Sequence, residues 1–403
     1  NNGVVGNLGY TQIVGNELSN ATYSRIRVTI NRWSMPRRRA RFVEFIDGIK
    51  FMFDKTDISK FGISKSADVL SGSLPNDNLS LEVFDIDNVF DLEYGKYTEI
   101  LNGSKWFTEV AFKIDGKWDW VNIGEYYLKE LSRPKNGLVA RFKMNGIFGE
   151  ITGKFPREIQ GSANNPSKDP YYWSTWRELF IRITELTGIT INVNGGYYLD
   201  DTGANYATQR LFRTDIELRE WIQTVANASK SIIKTNGDID IESLITSDFQ
   251  FTDTEPITTL SLYNAYSYPE IEKFPQLREC SITGYKPSDD DDLQYTYNTV
   301  FGENGVSQTA TNERIRFRTE KTPLAGFEPS FADGYNRWVY MFINNAKRVT
   351  GHNRVNPGLE LFDLLEVETK NGNKIKGYLT TFDLEYTGTF KAKYTVYAPE
   401  GQN

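Results

Sequence analysis

Residues 106–144 read WFTEVAFKIDGKWDWVNIGEYYLKELSRPKNGLVARFKM. Apolar and aromatic side chains fall in short runs, Trp106–Ile114, Trp118–Ile123, Gly124–Leu131 and Leu138–Met144. Asp115-Gly116 and Pro134-Lys135-Asn136-Gly137 split them. Asp-Gly supplies the left-handed backbone of a tight hairpin, and a Pro/Asn/Gly cluster is turn chemistry. The stretch therefore predicts consecutive antiparallel strands. Upstream the pattern is the same. Ile26, Val28 and Ile30 alternate with polar residues, and Phe42–Ile46 and Ile49–Phe53 flank Asp47-Gly48. Leu79, Leu81 and Val83 alternate after Pro75-Asn76-Asp77-Asn78, and Asp85-Ile86-Asp87-Asn88 ends that strand. At least six short strands at this spacing predict an all-β barrel or sandwich over about Arg25–Ile151.

A second grammar begins after the Gly/Ser/Asn/Pro-rich stretch between Pro156 and Pro170. Thr175-x-x-Glu178 and Thr214-x-x-Glu217 have capping-box spacing. Each precedes an apolar stripe at helical period: Trp176, Leu179, Phe180, Ile183 and Leu186, then Leu218, Trp221, Ile222, Val225 and Ala226. Gly188 suits a left-handed helix end. Strands Ile189–Val193 and Ser231–Thr235 follow the helices, the second turning through Asn236-Gly237 into Ile239–Ile241. From residue 248 the pattern returns to β. Leu277–Tyr285 alternates, Phe331–Val349 predicts one helix, and Leu364–Lys370, Asn371-Gly372 and Ile375–Thr381 predict a hairpin. Leu384–Tyr386 and Phe390–Tyr397 complete that sheet. The expected organisation is an N-terminal arm over 1–24, a first β-barrel domain over 25–155, an α/β insert over 156–247, and a second β-barrel domain with one helix over 248–403. A chain of 403 residues fits about two to four domains at this scale.

Composition excludes several classes. No apolar run approaches the ~20 residues of a membrane span. Asn1–Asn20 lacks the charged start and apolar stretch of a signal peptide. A single Cys, Cys280, excludes an internal disulfide framework and a cysteine zinc site, and a single His, His352, excludes a histidine-rich metal centre. The net charge of −7 argues against a general nucleic-acid binder.

The remaining chemical motifs weigh towards ordinary structure. Asp201-Thr202-Gly203-Ala204 matches the short aspartic-protease pattern, but that chemistry needs a second carboxylate sharing the proton, and the chain holds no second copy. It reads as a turn. Asp289–Asp292 has four carboxylates without EF-hand spacing and reads as a solvated loop. Arg37-Arg38-Arg39-Ala40-Arg41 reads as a subunit contact or solvated strand. His352 has no nucleophile motif beside it. Gly95, Gly103 and Gly116 are isolated turn glycines. The aromatics of Trp106–Tyr127 and Tyr171–Trp176 fit core and interface anchors better than a sugar platform. No catalytic, metal or cofactor-binding residue is assigned.

Three segments resemble a known family as an ordered set. They are Ile63–Val83 continuing to Asn88, then Gly124–Arg141 with the helical stretches Tyr172–Gly188 and Leu211–Ile241, then Asn353–Thr389, NRVNPGLELFDLLEVETKNGNKIKGYLTTFDLEYTGT. Their order resembles the central hub proteins of bacteriophage tails and related contractile injection particles. There, an SxxLPxNxLxF strand precedes an FYLxxxxxPxNG hairpin, a helix–strand insert follows, and an NPxLELGDxVxVExKxG hairpin closes with a YxGxLxG strand. The chain departs at Phe362, where the family has Gly, and at Lys391, near the last small residue.

The resemblance implies a mainly β fold with an α/β insert, in which two tail-tube-like barrels per subunit form a ring. It implies a homotrimer with pseudo-sixfold symmetry that closes the distal end of the tail tube and anchors a tip or spike. The implied partners are the tail-tube and distal tail proteins, the tape-measure protein and the tip. DNA would pass without specific binding, which suits an acidic chain because like charges repel phosphate. Synthesis would be in the host bacterial cytoplasm, with the product in the virion tail tip or baseplate. No enzymatic activity is expected. The alternative is a tail-associated wall hydrolase (glycosidase or peptidase) or a carbohydrate-binding tail module.

Overall fold

The computed structural model describes residues 51–91, 93–97, 100, 103–134, 137–154, 176–194, 217–277, 279–285, 294–302, 305–306, 316–319, 329–354 and 356–402. The first β region contains β1 (Ile58–Ser66), β2 (Asn76–Phe84), β3 (Lys105–Ile114), β4 (Lys117–Ser132) and β5 (Val139–Asn145). The insert contains α1 (Ile147–Glu150), α2 (Trp176–Thr187), β6 (Ile191–Val193), α3 (Leu218–Ala228), β7 (Ile232–Asn236) and β8 (Asp238–Glu242). The last region contains β9 (Thr258–Leu260), β10 (Glu270–Lys273), β11 (Glu279–Tyr285), β12 (Gln294–Gly302), β13 (Gly305–Val306), β14 (Arg316–Thr319), α4 (Pro329–Ile343), β15 (Lys347–Asn353), β16 (Leu364–Glu368), β17 (Lys374–Tyr386) and β18 (Phe390–Ala398). The fold is mainly β with an α/β insert, as the residue pattern predicts.

Strands from both β regions share one eleven-stranded sheet, ordered β10-β15-β18-β17-β1-β2-β5-β4-β3, with β16 paired to β17 and β9 paired to β16. The junction is β1 against β17, antiparallel from Phe61↔Tyr386 to Ser66↔Thr381. Ser64 Oγ donates to Asp383 Oδ1 across it at 2.6 Å. Both strands bury alternate residues, Phe61 and Ile63 from β1, Phe382 and Leu384 from β17. These join Val110, Tyr126, Leu128, Phe142 and Val396 in one apolar core that runs under both regions. A second core fills the insert, where Phe180, Trp221, Ile222 and Val225 pack on Ile239 and Ile241. A third joins α4 to Val69, Leu70, Phe362 and Tyr378.

Two local readings shift. The helix expected over Phe331–Val349 ends at Ile343, and Val349 lies in β15. Asn345 adopts φ +48, the left-handed stop that Asn tolerates, and the strand pattern of Val349, Gly351 and Asn353 takes over. The second capping box does not form at Glu217. Glu217 is itself the extended cap of α3 and makes no side-chain cap bond. Its carboxylate accepts from Arg219 Nε at 2.7 Å. Pairing of Lys154 with Glu217, and Leu218 N–H to Gly153 O at 3.0 Å, hold the chain extended to that point. Thr175 and Thr214 lie outside the described residues. Gly188 does end α2 with φ +72. The Asn236-Gly237 and Asn371-Gly372 hairpins form between β7 and β8 and between β16 and β17.

Candidate interaction surfaces

The main strand path of the sheet ends in two unlike edges. At one end β10 pairs with β15 alone among the described strands, and all four of its residues are exposed. The segment before it carries Tyr263, Tyr266 and Tyr268, exposed by 86%, 55% and 59%. This segment is built firmly. Ser261 caps a short 3₁₀ turn by accepting from Tyr263 N–H, and Ser261 Oγ and Leu262 N–H donate to Glu368 Oε2 at 2.9 and 3.0 Å. Those donors hold the Glu368 carboxyl below the usual range, Leu262 first and Ser261 second. Tyr266 N–H donates to His352 O at 2.9 Å, and the Lys370 ammonium lies 5.5 Å from the Tyr268 ring centre. Unpaired strand edges beside rigid aromatics are natural contact surfaces.

At the other end β3 is the outer strand. β5 meets β4 only from Tyr127 to Ser132, so Glu109–Ile114 and Lys117–Asn122 extend as a two-stranded arm. Phe112, close to the hairpin tip, packs on Phe390 with ring centres 5.2 Å apart. Towards the tip, Trp118 is 62% exposed. A third patch, Phe84, Ile86 and Leu138, is exposed where β2 meets β5.

The candidate residues marked by sequence motifs do not converge. Arg37–Arg41, Asp201–Ala204, Asp289–Asp292 and the arm 1–24 lie outside the described residues, as do Tyr171–Ser174. His352 is exposed on β15 and stands opposite Lys393. Gly103 and Gly116 occupy turns with positive φ, and Gly95 sits in the turn that follows Asp91. Trp106 and Tyr126 pack against the main core, as the anchor reading expects. Cys280 is buried, and burial, with a smaller contribution from Glu279, pushes its thiol up to about 12. Alkylation of Cys280 at pH 8 is therefore expected to run at least ~100-fold slower than for an exposed cysteine. A mass-spectrometric time course checks this, and labelling at the rate of an unfolded control would overturn it. Among the described residues no group of three His, Cys, Asp or Glu is placed to hold a metal, and no helix is long and apolar enough to cross a membrane. The tyrosine segment escaped the sequence reading, although three Tyr within six residues of a Pro-terminated loop were its signal.

No protein-family model matches the chain, and no curated protein matches it. Among solved structures, the chain is similar to the 43 kDa tail protein of prophage MuSo2 from Shewanella oneidensis, at 12% identity and TM-score 0.48, covering 86% of this chain and 96% of that one. It is similar to the tail protein from Neisseria meningitidis MC58, at 9% identity and TM-score 0.45, covering 85% and 92%. It is also similar to prophage tail protein gp18 from Listeria monocytogenes EGD-e, at 11% identity and TM-score 0.43, covering 84% and 89%.

Proposed function

We propose that the chain is a non-catalytic structural subunit of a phage-type tail or baseplate, a hub whose copies form a threefold, pseudo-sixfold ring closing the distal end of the tail tube. One observation carries this reading. The three segments that resemble hub proteins, far apart in the chain, become neighbours in space. The first supplies β1 and β2, the second the inner part of β4 and the start of β5, and the third β16 and β17. In the sheet these stand side by side as β17-β1-β2-β5-β4. The motifs therefore specify one continuous surface. The strand path that contains them ends in two different edges, β10 and β3, which is what a head-to-tail ring contact between identical chains requires. In the particle the hub would anchor the tip and let DNA pass.

The test is assembly. Light scattering and negative-stain images of the purified chain, alone and with tail-tube protein, are expected to show threefold rings. Trp118→Lys combined with Tyr268→Lys is expected to leave a folded chain by circular dichroism and to lower ring formation by roughly 100-fold, as loss of interface anchors does. A chain that stays monomeric and joins no tube component would overturn the reading. So would lysis of cell-wall material that disappears in a carboxylate double variant.

A further inference from the structure

The joint between the main sheet and the insert contains charge that the ring reading does not use. On β1, Phe61, Ile63 and Lys65 face the same buried side, so Lys65 stands where an apolar residue is expected. Its direct cross-strand partner on β2 is Asp77. The Lys65 ammonium does not reach that carboxylate as a hydrogen bond. It donates to Ile123 O at 2.7 Å, and Tyr126 OH donates to the same carbonyl at 3.3 Å. Asp77 instead faces the insert, where Thr235 of β7 donates from Oγ1 to Oδ2 at 2.8 Å. Asp77 Oδ1 is sealed from solvent and has no hydrogen-bond partner. A buried carboxylate oxygen with no donor is costly when ionised.

The rest of the joint is close-fitting. Gly237, in the β7–β8 turn at φ +88, lies where any Cβ would meet the Glu125 carboxylate. Glu125 is paired with Lys105 at 2.6 Å. The β1–β2 loop grips the insert through Ser71 Oγ to Ser231 O, Asn227 Nδ2 to Leu70 O and Gln223 Nε2 to Gly72 O, at 2.8, 2.7 and 2.7 Å. Beside Asp77 a cleft of about 380 Å³ holds Lys129 of β4 and Arg219 of α3. Among the described residues, the titratable and charged groups at this joint are thus Lys65 from β1, Lys105 from β3, Glu125, Tyr126 and Lys129 from β4, and Arg219 from α3.

We propose that this joint is a proton-operated latch, in which protonation of Asp77 tightens the β7–β8 hairpin against the sheet and ionisation loosens it. A neutral carboxyl turns the sealed oxygen from an unsatisfied charge into a group that burial tolerates. Burial raises the Asp77 carboxyl above the ordinary Asp value, with Lys65 and the Thr235 hydroxyl opposing in that order. The sign follows from linkage. A carboxyl whose folded value lies above its unfolded value binds more protons in the closed state, so closure gains as pH falls through the folded value towards the unfolded one near 3.8. Glu368 and Glu82 shift the opposite way and weaken the fold on acidification, so whole-protein stability does not isolate the latch.

The experiment is hydrogen exchange of the full chain, read on the amides of Ile232–Asn236 and Asp238–Glu242 between pH 7.5 and 4.5 and corrected for intrinsic rates. Opening of this hairpin is expected to fall by roughly threefold or more on acidification, and Asp77→Asn is expected to abolish that dependence. Thr235→Val, which removes the one donor to the ionised form, is expected to move the transition to higher pH. Equal pH dependence in the parent and Asp77→Asn, or opening that increases on acidification in the parent alone, would overturn the latch. These readouts do not depend on ring assembly.

Discussion

Replacing Phe362 with glycine is expected to destabilise the protein by about 2–3 kcal/mol even though it relaxes the backbone. Phe362 stands at φ +68, in the left-handed region that bulky L-residues avoid, and hub-like sequences place Gly there. The strain is held because Phe362 N–H donates to Leu379 O at 2.7 Å while the ring is buried among the residues around α4. Deleting a buried Phe side chain costs about 3–5 kcal/mol, and relief of a left-handed residue returns about 1–2. Packing therefore exceeds strain. Phe362→Ala should be worse than Phe362→Gly, since it loses the same ring and keeps the strain. Denaturant titration of the three proteins checks the order, and a Gly variant as stable as the parent would show that the ring contributes little.

Arg133→Met is expected to cost about 3–5 kcal/mol, because it strands a buried charge. The Asp85 side chain is 1% exposed, and Arg133 Nε lies 3.0 Å from its Oδ2. The same guanidinium reaches Asp91 Oδ2 at 2.9 Å, Asn88 Oδ1 at 2.5 Å and Gly137 O at 2.7 Å. Asp85 Oδ1 in turn accepts from Val89 N–H at 2.6 Å. One planar fork thus ties the loop after β2 to the turn between β4 and β5. Arg133→Lys keeps the charge without the fork and should recover less than half of the loss. Adding Asp85→Asn to Arg133→Met should cost less than the sum of the two single changes. Additive losses in that cycle would mean the two residues act separately.

Much of this was legible in the residues. Hairpins marked by Asp115-Gly116, Asn236-Gly237 and Asn371-Gly372 form where the dipeptides stand, because the left-handed turn is a local property. Phe180 and Ile183 of the α2 stripe and the stripe of α3 became the insert core because helical period is likewise local. What stayed hidden was long-range. Nothing in the period of β1 states that its partner is β17, and Pro134–Gly137 read as a turn without announcing that Arg133 seeks Asp85. Lys65 shows the converse case. A lysine on the buried face of a strand contradicts the usual pattern, and only the fold reveals its place there and its acceptor, Ile123 O. The open edges are likewise a consequence of strand order, which local propensity does not encode.

The pairing of Phe61 with Tyr386 also governs how the chain can be made. The ribosome delivers β1 and β2 well before β17, the strand that covers the outer side of β1. Until then the nascent first region carries an uncovered strand and half of a shared core. Sheets closed by such distant contacts fold slowly and are prone to misassociation meanwhile.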